Sequence, residues 1–451
     1  MVGAARTQAT MPHRSTFHYV VATSLSHSLP KVTSERSGWK IAAKESGNQI
    51  DQSKSANYPE GGIMRHSDQR ILTTHVGSLP RNPLLTDLLI RDEAGEAVDK
   101  AELRRQSELA VRHVVGEQAA AGVDVINDGE QPRVGFQTYV AQRMKGFGGE
   151  SSRPRPRDYA DFPGFAALMR QRATRRSKVS NAPQAIAEVV YDDIAPAEQE
   201  CRLFRAALEE LPSRPADVFM TAASPGIIAT TLLNAHYDSH EAYVFALARQ
   251  MRKEYELIAS DFVLQIDAPD LAMERAVLFQ DKSIAEFLEI AEIHVAALNE
   301  ALVNIPRDRI RLHCCWGNWE GPHMHDIPLA EVLPVLYQAR IGALSLEFAN
   351  PRHQHEYAAL KKAKLPPEIL LLPGVIDSTS NYVEHPEVVA NRICEAVDAV
   401  GDRSRVIASS DCGFGTFAGS ELVAEDVVWA KLRSCRQGAD IASQRLWGTR
   451  S

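Results

Sequence analysis

Ile310-Arg-Leu-His-Cys-Cys-Trp316 is a short apolar run ending in one histidine and two cysteines. Side chains alternate along a strand, so His313 and Cys315 face one point while Cys314 faces away. Two later runs end in the same manner. Ala343–Phe348 carries Glu347 near its end, and Val406-Ile-Ala-Ser-Ser-Asp-Cys-Gly413 leads to Cys412. Outward from these, further β-rich runs are Ile71–Gly77, Val123–Asp128, Ala185–Tyr191, Val218–Ala222, Phe262–Asp267 and Ile369–Val375. Between the runs, Ala101–Ala121, Tyr243–Ser260, Ser283–Val303 and Pro386–Val400 space their apolar residues as helices do. Strand then helix, repeated about eight times, is the pattern of a parallel sheet closed into a (β/α)8 TIM barrel. Nine strand candidates compete for eight places, so one is extra or belongs to a loop. Active sites of such barrels lie at the carboxyl ends of the strands, where the His, Cys and Glu residues fall.

The chain has 451 residues, enough for one large domain or two ordinary ones. Its hydrophobic content of 44% and charged content of 24% are those of a globular protein. A net charge of −8 gives no reason to expect nucleic acid or an anionic membrane as partner. No run approaches the roughly 20 apolar residues of a membrane span. Six scattered cysteines fit a reducing, cytoplasmic setting better than a disulfide framework. Residues 1–63 lack hydrophobic periodicity, are rich in Ser and Thr, and contain no acid before Glu35. They read as a disordered tail, a transit-like extension or an upstream start, with Met64 opening the domain 64–451. The Arg- and Pro-rich stretch Glu150–Lys178 breaks the strand–helix rhythm and is expected to run over the barrel mouth.

One histidine, two cysteines and one glutamate form a soft N/S/O donor set suited to tetrahedral zinc. On spacing alone two readings stand. A cysteine pair in an apolar strand also serves as buried filler, and Glu347 as an ordinary barrel-mouth carboxylate. The pairs His323/His325 and His353/His355 have metal-like spacing too, but their polar, Gly/Pro-flanked surroundings read as loop.

The ordered series resembles the cobalamin-independent methionine synthase family in its short, single-barrel form. The resemblance implies His313, Cys315, Glu347 and Cys412 as zinc ligands. Thr74-His-Val-Gly-Ser-Leu-Pro80 is similar to the family's first-strand motif, which implies that Ser78 contacts homocysteine. Asp128-Gly-Glu130 and Gln265-Ile-Asp-Ala-Pro269 are similar to two further motifs, implying Glu130 and Asp267 as catalytic and acceptor-binding residues. Arg133, Arg275 and Arg352 follow these motifs, either as ion-pair partners or to bind a carboxylate or sulfonate.

The implied activity is zinc-dependent S-methylation of a small thiol such as homocysteine. Two departures bear on the donor. Gly374-Val-Ile-Asp-Ser-Thr379 places Thr379 where long members carry a proton-shuttling histidine. Ala223-Ser-Pro-Gly-Ile-Ile-Ala-Thr230 lacks the tryptophan that stacks on folate. A better methyl carrier, such as a corrinoid protein, is therefore expected to outperform methylfolate. The epoxyalkane:coenzyme M transferases carry the same zinc motif and supply a second reading. A non-catalytic, zinc-stabilised binding barrel is a third, and it predicts a closed site.

Overall fold

The computed structural model describes residues 63–172 and 181–448. All but the last residue of the expected extension 1–63 lies outside the described residues, as do residues 173–180 of the Glu150–Lys178 stretch. The strands are β1 Leu72–Thr73, β2 Val125–Ile126, β3 Met144–Gly148, β4 Gln184–Tyr191, β5 Asp217–Ala223, β6 Val263–Asp267, β7 Ile310–Cys314, β8 Ala343–Leu346, β9 Leu370–Ile376 and β10 Ile407–Ser410. Eight of them form one parallel sheet in the order β1-β10-β9-β8-β7-β6-β5-β2. Its two ends meet where Asp124 N donates to Thr73 O at 3.1 Å and Thr74 Oγ1 to Val125 O at 2.9 Å. The architecture is a (β/α)8 barrel.

The ninth candidate, Ala185–Tyr191, is the extra one. It pairs antiparallel with β3 as a hairpin apart from the barrel sheet. The physical reason lies in its composition. Barrel strands are covered on both faces and read as continuous apolar runs, and β6, β7, β8, β9 and β10 are buried throughout. Within β4, Glu188 is exposed and burial alternates, which a barrel position does not tolerate. Its partner β3, Met-Lys-Gly-Phe-Gly, has too few apolar residues to signal a strand.

The expected helices form at Lys100–Ala120, His240–Asp261, Ile284–Ala301 and Pro386–Val400. Ser239 caps the second through Ala242 N. Ser283 and Glu286 form a capping box at the third, satisfying amides that the first turn leaves open. Gly401, at φ 79°, ends the fourth in the left-handed conformation that favours glycine. No helix among the described residues is long and apolar enough to cross a membrane.

The amino end of the barrel is plugged by Leu72, Val125, Phe219, Val263, Ala343, Leu370, Leu372 and Ile407, with Met64 packed against them. Above this layer Arg311 spans the interior. It donates to Thr74 Oγ1 and His75 O, and its guanidinium lies 4.0 Å from the centre of the Phe219 ring. The floor of the mouth is thus fixed before any functional group is reached.

Candidate metal centre

His313 lies on β7 and Cys315 follows it directly, while Cys412 lies two residues beyond β10. Their ligating atoms all fall within 4.8 Å of one another, and all three residues are buried. Donors around a tetrahedral ion with bonds of about 2.0–2.3 Å stand roughly 3.3–3.8 Å apart, so a small convergence seats the ion. Among the described residues no other His, Cys, Asp or Glu group meets this spacing. Neither ring nitrogen of His313 has a nitrogen or oxygen partner among the described residues, and of the side chains around it the Cys315 sulfur is the one that interacts with it. A buried imidazole is rarely left so, and a metal ion satisfies it. The residues present fit a soft divalent metal.

The electrostatics point the same way. A hydrogen bond from Cys412 holds the Cys315 thiol well below its ordinary value, with His313 adding to the effect against burial. The same hydrogen bond, together with burial, pushes Cys412 well above it. The hydrogen bond between the two sulfurs thus favours the thiolate form at Cys315 and the thiol form at Cys412. Burial opposes the charged form of His313, but the Cys315 thiolate carries it above the usual histidine value. Cys314 packs in the apolar core, where burial pushes its thiol well up.

Glu347 stands beside the triad rather than within it. Its Oε1 accepts from Trp316 N at 3.3 Å and its Oε2 from Asn350 Nδ2 at 2.8 Å. Burial, and the Cys315 thiolate next to it, push its carboxyl well above the ordinary range. Asp411 fixes the surrounding loop by accepting from the backbone amides of Phe348, Ala349 and Asn350.

The triad opens into a cavity of about 120 Å³ whose walls include Ser78, Glu130 and Asp267. Three distant sequence motifs thus meet the cysteines in one space. Glu130 has φ 54°, a left-handed backbone uncommon outside glycine, in the Asp128-Gly-Glu130 turn. Arg81 Nη2 holds that turn by donating to Glu130 O at 2.7 Å. Gly77 and Gly413 are required by close approach. A Cβ at Gly77 would stand 2.6 Å from Glu130 Oε1, and one at Gly413 would stand 2.0 Å from Ser78 Oγ. Burial raises the carboxyls of both Glu130 and Asp267. The Glu130 charge adds to the effect at Asp267, which reaches about 8. Two buried carboxylates lining one cavity favour taking up a proton or accepting a cation.

Residues 165–431, more than half of the chain, match the family described as "Cobalamin-independent synthase, Catalytic domain". The chain belongs to this family. It is 26% identical to a 2-hydroxypropyl-CoM lyase of Xanthobacter autotrophicus over 414 residues, covering 85% of this chain and 98% of that one. It is 24% identical to a methionine synthase of Sulfurisphaera tokodaii over 376 residues, covering 83% and 93%. A B12-independent methionine synthase of a Shewanella species, solved in complex with selenomethionine, shares the fold. The TM-score is 0.62 and the identity 20%, with 84% of this chain and all of that one covered.

Within this member of the family, other sequence candidates fall away from the cavity. Arg133 is buried against Glu200 and donates to Thr221 O, Arg275 donates to Gln280 O, and Arg352 lines a neighbouring depression. Of the three, none lines the cavity. His323 and His353 both contact Asp326 at 3.0 Å, and His325 contacts Asp161 at 2.6 Å, so these residues brace loops. Against burial, Asp326 and Glu356 raise His353 to about 9, and its ring stacks 3.9 Å from Trp316, the neighbour of Cys315.

Sequence reasoning missed Phe136, Arg153, Met273, Asn318 and Phe417, which also line the cavity. All but Arg153 follow a recognised motif by a few residues, and Asn318 stands three beyond Cys315. It donates to Gly413 O and Thr416 Oγ1, both at 2.7 Å. Beyond Phe417 and Met273 the cavity adjoins a second of about 730 Å³, walled by Tyr159, Trp319, Tyr382 and Phe414. Thr379 lines this outer space, with its hydroxyl donating to Asp377 Oδ1 at 2.9 Å. The described part of the Glu150–Lys178 stretch runs over the mouth: Arg153 lines the inner cavity and Tyr159 the outer.

Proposed function

We propose that this chain is a zinc-dependent S-methyltransferase that methylates a small thiol, homocysteine in the first instance, to give a thioether such as methionine. The observation that carries the reading is the meeting of His313, Cys315 and Cys412 with Ser78, Glu130 and Asp267 in one small cavity. Zinc held by the triad, with Glu347 as the adjacent fourth donor, would keep the acceptor sulfur deprotonated at neutral pH. The chain's own groups do the rest. The Glu130–Asp267 pair offers negative charge to an acceptor's ammonium and gives up its proton when that ammonium arrives. Phe136, Met273 and Phe417 keep water from the sulfur. The inner cavity suits a thiol of a few carbons, and the outer one has room for a bulky methyl carrier, a corrinoid protein's presented group included. Thr379 is no acid, so the donor must leave without a proton from that position.

Likeness to the lyase over 85% of the chain supports a second reading, opening of an epoxide by coenzyme M. Glu130 and Asp267 would repel that thiol's sulfonate, which ranks it second. Zinc-loaded protein incubated with homocysteine or coenzyme M, each with methylfolate, a methylated corrinoid protein or an epoxide, separates the readings by the mass of the thioether formed. If no thioether forms with any pair, the catalytic reading fails.

A further inference from the structure

Arg153 enters the inner cavity from the Glu150–Lys178 stretch, far in sequence from every family motif. It is the only lysine or arginine among the described residues lining that cavity. Its side chain is held from two directions. Nε donates to Thr230 O at 3.0 Å, and Nη2 pairs with Glu274, a fully buried carboxylate. Glu274 is itself fixed, its Oε2 accepting from Leu278 N at 3.2 Å. The segment carrying Arg153 is tied down on both sides, by Ser151 N to Ala182 O and Arg157 N to Ala276 O, each at 2.9 Å.

A guanidinium has five N–H donors in a rigid fork. Here one goes to Thr230 and one to Glu274, and Nη1 has no partner among the described residues. The group is thus oriented in advance, with an edge to spare, in a cavity that otherwise presents two carboxylates. A ligand with an ammonium for Glu130 and Asp267 and an anion for Arg153 satisfies both ends of the space. A neutral thiol satisfies neither.

We propose that Arg153 is the specificity-determining residue of the acceptor subsite, binding the carboxylate or sulfonate of an anionic thiol and discriminating against uncharged ones. This rests on the thiol-acceptor reading above. Glu274 is the positioning residue, competing with the ligand anion for the same guanidinium while holding it in place.

Calorimetric titration of zinc-loaded protein with three thiols that differ in headgroup tests this: homocysteine, coenzyme M and 2-mercaptoethanol. Charge-assisted hydrogen bonds of this kind set the expected effect at roughly 10- to 100-fold. Arg153→Met should weaken at least one anionic thiol by that factor and leave 2-mercaptoethanol within about twofold. Arg153→Lys should restore part of the loss. Glu274→Gln, which removes the competing charge, should tighten the anionic thiol or leave it unchanged. Equal weakening of all three thiols in Arg153→Met and Glu274→Gln would mean that the pair only anchors the segment, and so would unweakened anionic binding in Arg153→Met; either overturns the proposal. If wild-type protein binds none of the three, the thiol-acceptor reading itself fails.

Discussion

Acidification should destabilise this barrel through His75, and the size of the effect follows from its surroundings. Gln118 Oε1 accepts from Asn127 N at 3.0 Å and lies 2.7 Å from His75 Nε2, so that nitrogen carries the proton. His75 Nδ1 is buried without a partner. A proton added there gains no acceptor, loses hydration and stands near the Arg311 guanidinium. Burial first and Arg311 next therefore lower His75 to about 4, against the hydrogen bond to Gln118. Because the folded value lies below the unfolded one, near 6.5, stability is complete above pH 6.5 and is lost as the pH falls toward 4. The loss from this residue is about 2 kcal/mol by pH 5 and about 3 kcal/mol by pH 4. Urea unfolding of wild type and His75→Gln at pH 7, 6, 5 and 4 isolates it, since other titrating groups are common to both proteins. Wild type should lose about 2 kcal/mol more than the variant between pH 7 and 5. A difference that stays flat over that interval refutes the assignment of a buried neutral imidazole.

Metal analysis should find about one zinc per chain in the wild-type protein and in Cys314→Ser, and far less in Cys315→Ser and Cys412→Ser; full zinc in Cys412→Ser would remove that residue from the ligand set. Asp267→Asn should lower kcat/KM about 100-fold or more with homocysteine and much less with coenzyme M; equal losses would show that the carboxylate does not face an ammonium. Gly226→Ala should cost about 1–3 kcal/mol in thermal unfolding, because its Cβ would stand 1.9 Å from Asp270 Oδ2 and 2.5 Å from His294 Nδ1. Gly116→Ala, exposed in the middle of a helix with nothing within 4 Å, should instead gain about 0.5–1 kcal/mol; a loss there would show that the helix is not where its periodicity places it.

The barrel was legible because short β-rich runs recur between segments of helical periodicity. Ala185–Tyr191 departs from the barrel strands at Glu188, which is exposed and marks a strand with one solvated face, paired with β3 apart from the barrel sheet. The His313, Cys315 and Cys412 constellation was legible from alternation along β7 and from strand-end placement. What sequence did not carry was distance between elements. Glu347 follows its strand as the others do, yet it stands beside the triad, its oxygens accepting from Trp316 N and Asn350 Nδ2. Arg153 was hidden among Arg155 and Arg157 in one charged stretch. Nothing in their order reveals which of them Glu274 and Thr230 capture, because those partners lie 121 and 77 residues away.

The last strand of the barrel, β10, lies against the first, β1, with Leu72 opposite Ile407. The strand that completes the cylinder is also the one that delivers Cys412. During synthesis Cys315 emerges 97 residues ahead of its partner, an interval of about 5–20 s at ordinary rates of chain growth. Throughout it Cys315 lacks the Cys412 sulfur whose hydrogen bond lowers its pKa, so it stands as an ordinary thiol. The three-residue ligand set is thereby complete only at the final docking step, and a chain that ends before β10 holds His313 and Cys315 without their third member.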